Sequence, residues 1–295
     1  MAFLHATGTK AKSGLKRKSL IPYFLLVPGL IWLVFFFLLP ILTLISTSTK
    51  TPGLGIGEFD QTYRFANYWD AIVNSHSQFF RSFEYATIAT VLALMIAYPL
   101  AYAIAFKSGR WKNTLLVLVV APFFTSFILR TIAWKQILGS QGIVYKLMID
   151  LHIIGAQTHL TASPLAVVAG LTYNFLPFMT LPLYSSLERI DPRTLEAAGD
   201  LYANVLTTFR KVTLPLSMPG VVAGTLLTFI PAAGDYVNAD ILGNPNTKMI
   251  GNVINARYLQ IVDYPTAAAL SFTLMIVILV MVMIYIKKAG TEDLV

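Results

Sequence analysis

Residues 187–215 read LERIDPRTLEAAGDLYANVLTTFRKVTLP. Asp191 is a good helix N-cap, and Pro192 suits the first helical position, where its missing N–H costs nothing. That helix is predicted to run to about Ala198 and stop near Gly199. Asn204 caps a second, in which Val205, Phe209 and Val212 recur at i, i+4 and i+7 as one apolar face. Arg210 and Lys211 sit near its end, where they complement the helix dipole. Two such short helices have no core of their own, so they need a membrane surface or a protein to lie against. A surface helix should be strongly basic. Here Glu188, Asp191, Glu196 and Asp200 offset Arg189, Arg193, Arg210 and Lys211, so a protein partner is expected.

The chain on either side is nearly free of charge. Of its 295 residues 56% are hydrophobic and only 12% charged, with mean hydropathy +0.67. An ordinary globular chain is about 25% charged, so a water-exposed surface, disorder and nucleic-acid binding by the net charge of +8 are all poor readings. No nucleic-acid partner is expected. The absence of cysteine removes disulfides, thiolate metal sites and cysteine nucleophiles. Six stretches suit a helical crossing of the bilayer, which takes about 20 apolar residues. They are Ser19–Thr49, Tyr85–Phe106, Asn113–Leu129, Ser163–Ser186, Val212–Gly234 and Tyr264–Ile286. Ile21–Ile45 is too long for a cleaved signal peptide and is expected to remain as the first span. Lys10, Lys12, Lys16, Arg17 and Lys18 precede it, Lys107, Arg110 and Lys112 follow the second span, and Lys287 and Lys288 follow the last. With the loop's four basic residues, these put both termini in the cytoplasm. The expected segments are a basic N-terminus at 1–20, a first span at 21–45, an outer loop at 46–82, a core transmembrane domain at 83–287 containing the loop at 188–215, and a cytoplasmic tail at 288–295.

Most of the 15 prolines fall in or at the ends of these spans. Proline in a membrane helix either marks a broken, cavity-lining segment or reflects its ordinary frequency there. Pro215, Pro219 and Pro231 favour a lining or moving fifth helix.

Glu196-Ala197-Ala198, followed by Val212-x-Leu214-Pro215, resembles the EAA loop of permease subunits of binding-protein-dependent ABC importers. The family's glycine falls on Tyr202, a residue that adopts φ > 0 reluctantly, so the turn is expected to use Gly199 or Asn204 instead. Further stretches, Leu214–Gly220, Pro231–Val237, Met249–Ile254 and Asp263–Ala269, are similar to spermidine/putrescine permeases of the PotB type. The resemblance implies an all-α integral membrane protein with the type I, MetI-like permease fold, in a bacterial inner membrane. It implies two ATPase subunits, a second permease and an extracytoplasmic substrate-binding protein as partners. ATP and magnesium would sit on the ATPase, leaving no cofactor and no catalytic residue in this chain. Glu196, Ala197, Ala198, Gly199, Tyr202, Val212, Leu214 and Pro215 are the coupling residues it implies, with Glu196 touching the ATPase.

A polyamine path should offer carboxylates and aromatic faces. Asp235, about 19 residues or roughly 28 Å beyond Leu216, reaches the outer mouth, with Tyr236 and Asp240 beside it. Glu84, Trp134 and Tyr258 are expected on the same side. Asp235 either receives a cation or pairs with Arg130; Tyr85, Tyr98, Tyr102 and Tyr173 either line the path or form an interfacial belt. Iron, thiamine and sulfate permeases share the loop and remain alternative readings. An ion-driven secondary transporter would need ionisable residues at mid-span, and a membrane enzyme a polar catalytic pair; neither is visible. His5, His76, His152 and His159 are scattered without a zinc spacing, and no phosphate-binding loop occurs.

Overall fold

A computed structural model of the chain describes residues 21–53, 55, 57–155 and 159–289. The basic segment 1–20 and the tail from residue 290 lie outside them. Two compact units are present, one ending at Leu44 and the other beginning at Ile45.

The first unit is helical: α1 (Ile21–Leu33), one wide turn over Val34–Leu38 and the start of α2 (Leu39–Ser48). Phe24–Leu39 carries no charged residue and is exposed along its length, as suits a helix solvated by lipid rather than water. The wide turn closes with the Leu39 N–H donating to the Val34 carbonyl, five residues back. Pro40 explains it. A proline cannot donate to the carbonyl four residues earlier and its ring collides with it, and one widened turn removes the clash.

The second unit opens with a hairpin of β1 (Lys50–Pro52) and β2 (Phe59–Gln61), paired antiparallel with Thr51 opposite Asp60. Asn67 ties it down by donating to the Ser48 and Lys50 carbonyls at 2.9 and 2.8 Å. The helix α3 (Ala66–Tyr102) follows, so much of the expected outer loop is helical. Next come α4 (Lys112–Val120), α5 (Phe127–Leu138), α6 (Ile143–Asp150), α7 (Pro164–Glu188), α8 (Pro192–Asp200) and α9 (Val205–Thr208). The chain ends in α10 (Leu214–Ala233), α11 (Val237–Leu242), α12 (Ile250–Leu259) and α13 (Tyr264–Ala289).

Helices α3, α7 and α10 pack against one another and form the core, with α13 laid on α3 and α12. Lipid tails are as apolar as leucine, so close packing rather than the hydrophobic effect holds such helices. The sequence supplies small residues where packing needs them. Ala86, Ala89, Ala93, Ala97 and Ala101 recur at helical spacing along α3 and are fully buried. On α10, a Cβ at Gly220 would lie 2.7 Å from the Pro182 carbonyl oxygen, and one at Gly224 3.0 Å from the Met179 carbonyl oxygen, so α7 and α10 approach backbone to side-chain-free backbone.

Among the described residues five helices are long and apolar enough to cross a membrane, and a bent pair makes a sixth crossing if counted as one. The bent pair falls on the expected third span, Asn113–Leu129, and breaks it after Phe124. The run Phe127–Asp150 leaves the run Gly109–Phe124 at 98°. A tight turn over Ala121–Phe124, closed by the Thr125 N–H on the Pro122 carbonyl at 3.1 Å, ends the first part. Thr125 is then extended, and Ser126 restarts the helix. In the fifth span, the helix favoured as lining or moving, α10 carries Pro219 and Pro231 inside one continuous helix.

Candidate coupling loop and buried polar cluster

Asp191 caps α8 as its sequence requires, its carboxylate accepting from the Arg193 N–H at 3.0 Å. The helix ends in a paired hydrogen-bond cap. The Ala203 N–H donates to the Ala198 carbonyl at 3.1 Å and the Tyr202 N–H to the Gly199 carbonyl at 2.9 Å, with Tyr202 at φ 57°. This pattern normally places glycine where Tyr202 stands. The expectation that Gly199 or Asn204 would make the turn is therefore corrected: Tyr202 itself takes the left-handed conformation. The backbone bonds overdetermine it, and its ring, 98% exposed, meets no obstruction. A non-glycine residue held there costs on the order of 1 kcal/mol. Exchange of Tyr202 for glycine is expected to release that strain and raise hydrogen-exchange protection of 192–203 roughly fivefold, about 1 kcal/mol; unchanged protection would show the turn to be unstrained.

Asn204 caps α9 by accepting from the Thr207 N–H at 2.8 Å. The second short helix does not stay separate. It passes through one wide turn, Phe209–Thr213, into α10, giving a continuous helical run from Val205 to Ala233. The Leu214 N–H reaches back to the Phe209 carbonyl, and Pro215 sits just beyond, as Pro40 does after the earlier wide turn. Of the expected coupling residues, Glu196, Ala197 and Gly199 are exposed on α8 and Ala198 is buried. Val212 and Leu214 are half-buried in the wide turn and the start of α10, and Pro215 is exposed. Leu201, Tyr202, Val205 and Leu206 form an exposed apolar rim around the turn. At the base of the loop, Lys112 on α4 pairs with Glu188 at the end of α7 at 2.6 Å.

The residues expected on a cation path divide. Asp235, Tyr236 and Asp240 come together just past α10. The Asp235 carboxylate is buried and accepts from the Asn238 N–H in the first turn of α11 at 2.8 Å. Asn252 on α12 donates to the Tyr236 carbonyl at 2.8 Å and to the Asp240 carboxylate at 3.1 Å, and accepts from the Met249 N–H at 2.9 Å. Glu84 is exposed on α3, in a shallow recess with His76 and Arg81. Trp134 packs edge-on against Tyr173 at 5.3 Å, and Tyr258 tilts against Tyr264 at 4.8 Å. The pairing of Asp235 with Arg130 does not form: among the described residues Arg130 makes no ion pair, and its guanidinium lies 5.6 Å from the centroid of the Phe127 ring.

Sequence reasoning missed the buried amides. Asn174 on α7 donates to the Asn238 side-chain oxygen at 3.0 Å and to Thr131 of α5 at 3.2 Å, tying three elements at one point. A lone asparagine inside an otherwise apolar span was the available signal.

Asp235 lies beyond the α10 span, and burial pushes its carboxyl up to about 6, partly offset by hydrogen bonding from Asn238. A carboxyl whose folded pKa is raised opposes folding once ionised. Its penalty is absent below the unfolded value near 4 and complete above about 6. Asp235→Asn is therefore expected to melt above the unsubstituted protein at pH 8, to keep about half of that advantage at pH 5 and to lose most of it by about pH 4. The difference is at most about 3 kcal/mol. An advantage independent of pH would refute the assignment.

A bundle of long apolar helices, close-packed through alanine and glycine, with a capped and exposed loop leading into one span, is the architecture of a multi-pass membrane protein. The family model described as "Binding-protein-dependent transport system inner membrane component" matches residues 53–289, and the chain belongs to that family. It is 37% identical over 258 residues to the spermidine/putrescine transport system permease protein PotB of Haemophilus influenzae, covering 87% of this chain and 90% of that protein. The Escherichia coli K12 protein of the same name is 37% identical over 255 residues, covering 86% and 92%. A solved bacterial ABC transporter involved in import of the acidic polysaccharide alginate has a chain that superposes with TM-score 0.67 at 18% identity, covering 92% and 96%. The MetI-like permease fold expected from the loop is the fold observed.

Proposed function

We propose that this chain is a pore-forming permease subunit of an ATP-driven importer of polyamines, of the spermidine and putrescine class. The observation that carries the cargo is identity of 37% to two permeases of that name, along nearly the whole length of both chains. The chain itself performs no chemistry. Its partners in this reading are two ATPase subunits that hold ATP and magnesium, a second permease and an extracytoplasmic binding protein. The loop 188–215 and both termini face the cytoplasm, following the lysines and arginines that flank the spans.

Helix α8 is the piece offered to the ATPase. It projects from the bundle, buries only Ala198, and leaves Glu196 without a hydrogen bond or ion pair among the described residues. Ala197 and Gly199 let a partner surface approach its backbone closely, and the rim from Leu201 to Leu206 supplies apolar area to bury. On the opposite side, Tyr236 and Asp240 offer an aromatic face and a carboxylate to an ammonium group.

Mild-detergent purification of the tagged chain, followed by reconstitution into liposomes with the proteins that accompany it, tests the reading. Co-purification of an ATPase and a second permease, with ATP-dependent uptake of labelled spermidine or putrescine, is the expected result. Uptake of iron, thiamine or sulfate instead would replace the cargo. Ion-driven transport by the chain alone would overturn the importer.

A further inference from the structure

From the contacts of one tyrosine we infer that Tyr98, on α3, is a positioning residue that locks the wide turn between the coupling loop and α10, so that a push on α8 moves α10 as one rigid piece. The inference rests on the coupling role proposed above for the loop.

The wide turn is the natural weak point in that line of force. Helical turns with hydrogen bonds reaching five residues back are rare and less stable than α-turns, and they interrupt the regular ladder. Left alone, Phe209–Thr213 would flex or slip by a residue, and motion of the loop would be absorbed before reaching the span.

Tyr98 touches both ends of the turn. Its ring meets Phe209, the first residue of the turn, edge to face at 5.4 Å between centroids. Its hydroxyl lies 2.7 Å from the Ser217 oxygen, in the first turn of α10. Ser217 is fully buried, and its hydroxyl donates to the Leu214 carbonyl at 3.1 Å. That donation uses the only proton on Ser217, so Tyr98 is the donor and Ser217 the acceptor. One side chain from a neighbouring helix thus spans the wide turn, with an apolar contact below it and a directional bond above it. Around this contact lies a cleft of about 910 Å³, lined by Tyr98 itself with Met95, Tyr102, Leu206 and Phe209 among others. With so much open space beside it, the turn depends on Tyr98 for its fixed register.

The test uses the full importer in liposomes and reads two rates, ATP hydrolysed and substrate taken up. Tyr98→Phe keeps the ring and removes one hydrogen bond without stranding a buried donor, because Ser217 retains its bond to Leu214. Uptake per ATP is expected to fall about fivefold, the value of a hydrogen bond near 1 kcal/mol, while the melting temperature of the complex stays close to the parent. Adding Ser217→Ala is expected to lower the ratio no further, since both changes break the same bond. If Glu196→Ala lowers the ratio and Tyr98→Phe does not, the inference about Tyr98 is wrong and the coupling loop stands. If neither lowers it, the coupling reading fails and takes this inference with it. If Tyr98→Phe reduces hydrolysis and uptake in proportion, together with the melting temperature, Tyr98 is merely structural.

Discussion

Exchanging Glu196 for alanine is expected to leave the permease folded and assembled while uptake falls at least tenfold relative to ATP hydrolysis. The folded state has little to lose. Glu196 is exposed on α8, takes no part in its caps, and makes no hydrogen bond or ion pair among the described residues. Alanine is the better helix former, so the isolated chain should change by no more than about 0.5 kcal/mol. A carboxylate buried against a partner is different, because removing it strands the group that it satisfied at a cost of several kcal/mol. The two rates therefore separate in the complex although the melting temperature of the chain does not. Uptake and hydrolysis that keep their parental ratio would show that Glu196 is only a solvated side chain.

The second large effect is on stability. Gly220→Val is expected to destabilise the bundle by roughly 1–3 kcal/mol, or to prevent its recovery as a folded protein from membranes. Even one added carbon would stand 2.7 Å from the Pro182 carbonyl oxygen and equally close to the Ser186 side chain. Backbone on α7 cannot retreat as a flexible side chain can, and valine adds two more carbons. Gly224→Ala is the milder comparison, because the Met179 sulfur at 2.8 Å can rotate away and the Met179 carbonyl oxygen, at 3.0 Å, has to give by less than the Pro182 oxygen at 2.7 Å. Thermal unfolding in one detergent ranks the two, and equal melting temperatures would mean that α7 and α10 do not pack as described.

The long apolar runs were legible because lipid demands them: a helix cannot cross without about 20 residues nearly free of charge, and the sequence displays that directly. The loop was legible for a similar reason. Asp191 and Asn204 announce helix starts through the chemistry of their side chains, and both accept the bonds that their positions require. The break in the third span was not. Pro122 ends a helix, whereas Pro99, Pro177, Pro182, Pro219 and Pro231 ride inside unbroken ones. What decides is whether neighbouring helices hold the backbone straight, and that is a property of packing. Tyr202 failed as a prediction in the opposite sense. Its reluctance toward positive φ is real but worth only about 1 kcal/mol, less than the two backbone bonds that close over it. The carboxylates proposed to meet a cation could be named from the sequence, but the side chains that hold them could not. Nothing in the spacing of Asn174, Asn238 and Asn252 says that three separate stretches of chain will meet.

The wide turn at Phe209–Thr213 sets the bearing of everything before it. A turn of this kind holds one residue more than an α-turn needs, and each residue of an α-helix advances about 100° and 1.5 Å. The compass direction of α8 around the axis of α10 is thus written in a residue count. Deleting a single codon between 209 and 213 would leave four residues for one ordinary α-turn and keep that direction, whereas deleting one from the regular helix on either side would swing the loop by roughly 100° with no loop side chain altered. A docking surface in such a protein is inherited as arithmetic as well as chemistry, and a match at every contact residue does not guarantee that the surface points at its partner.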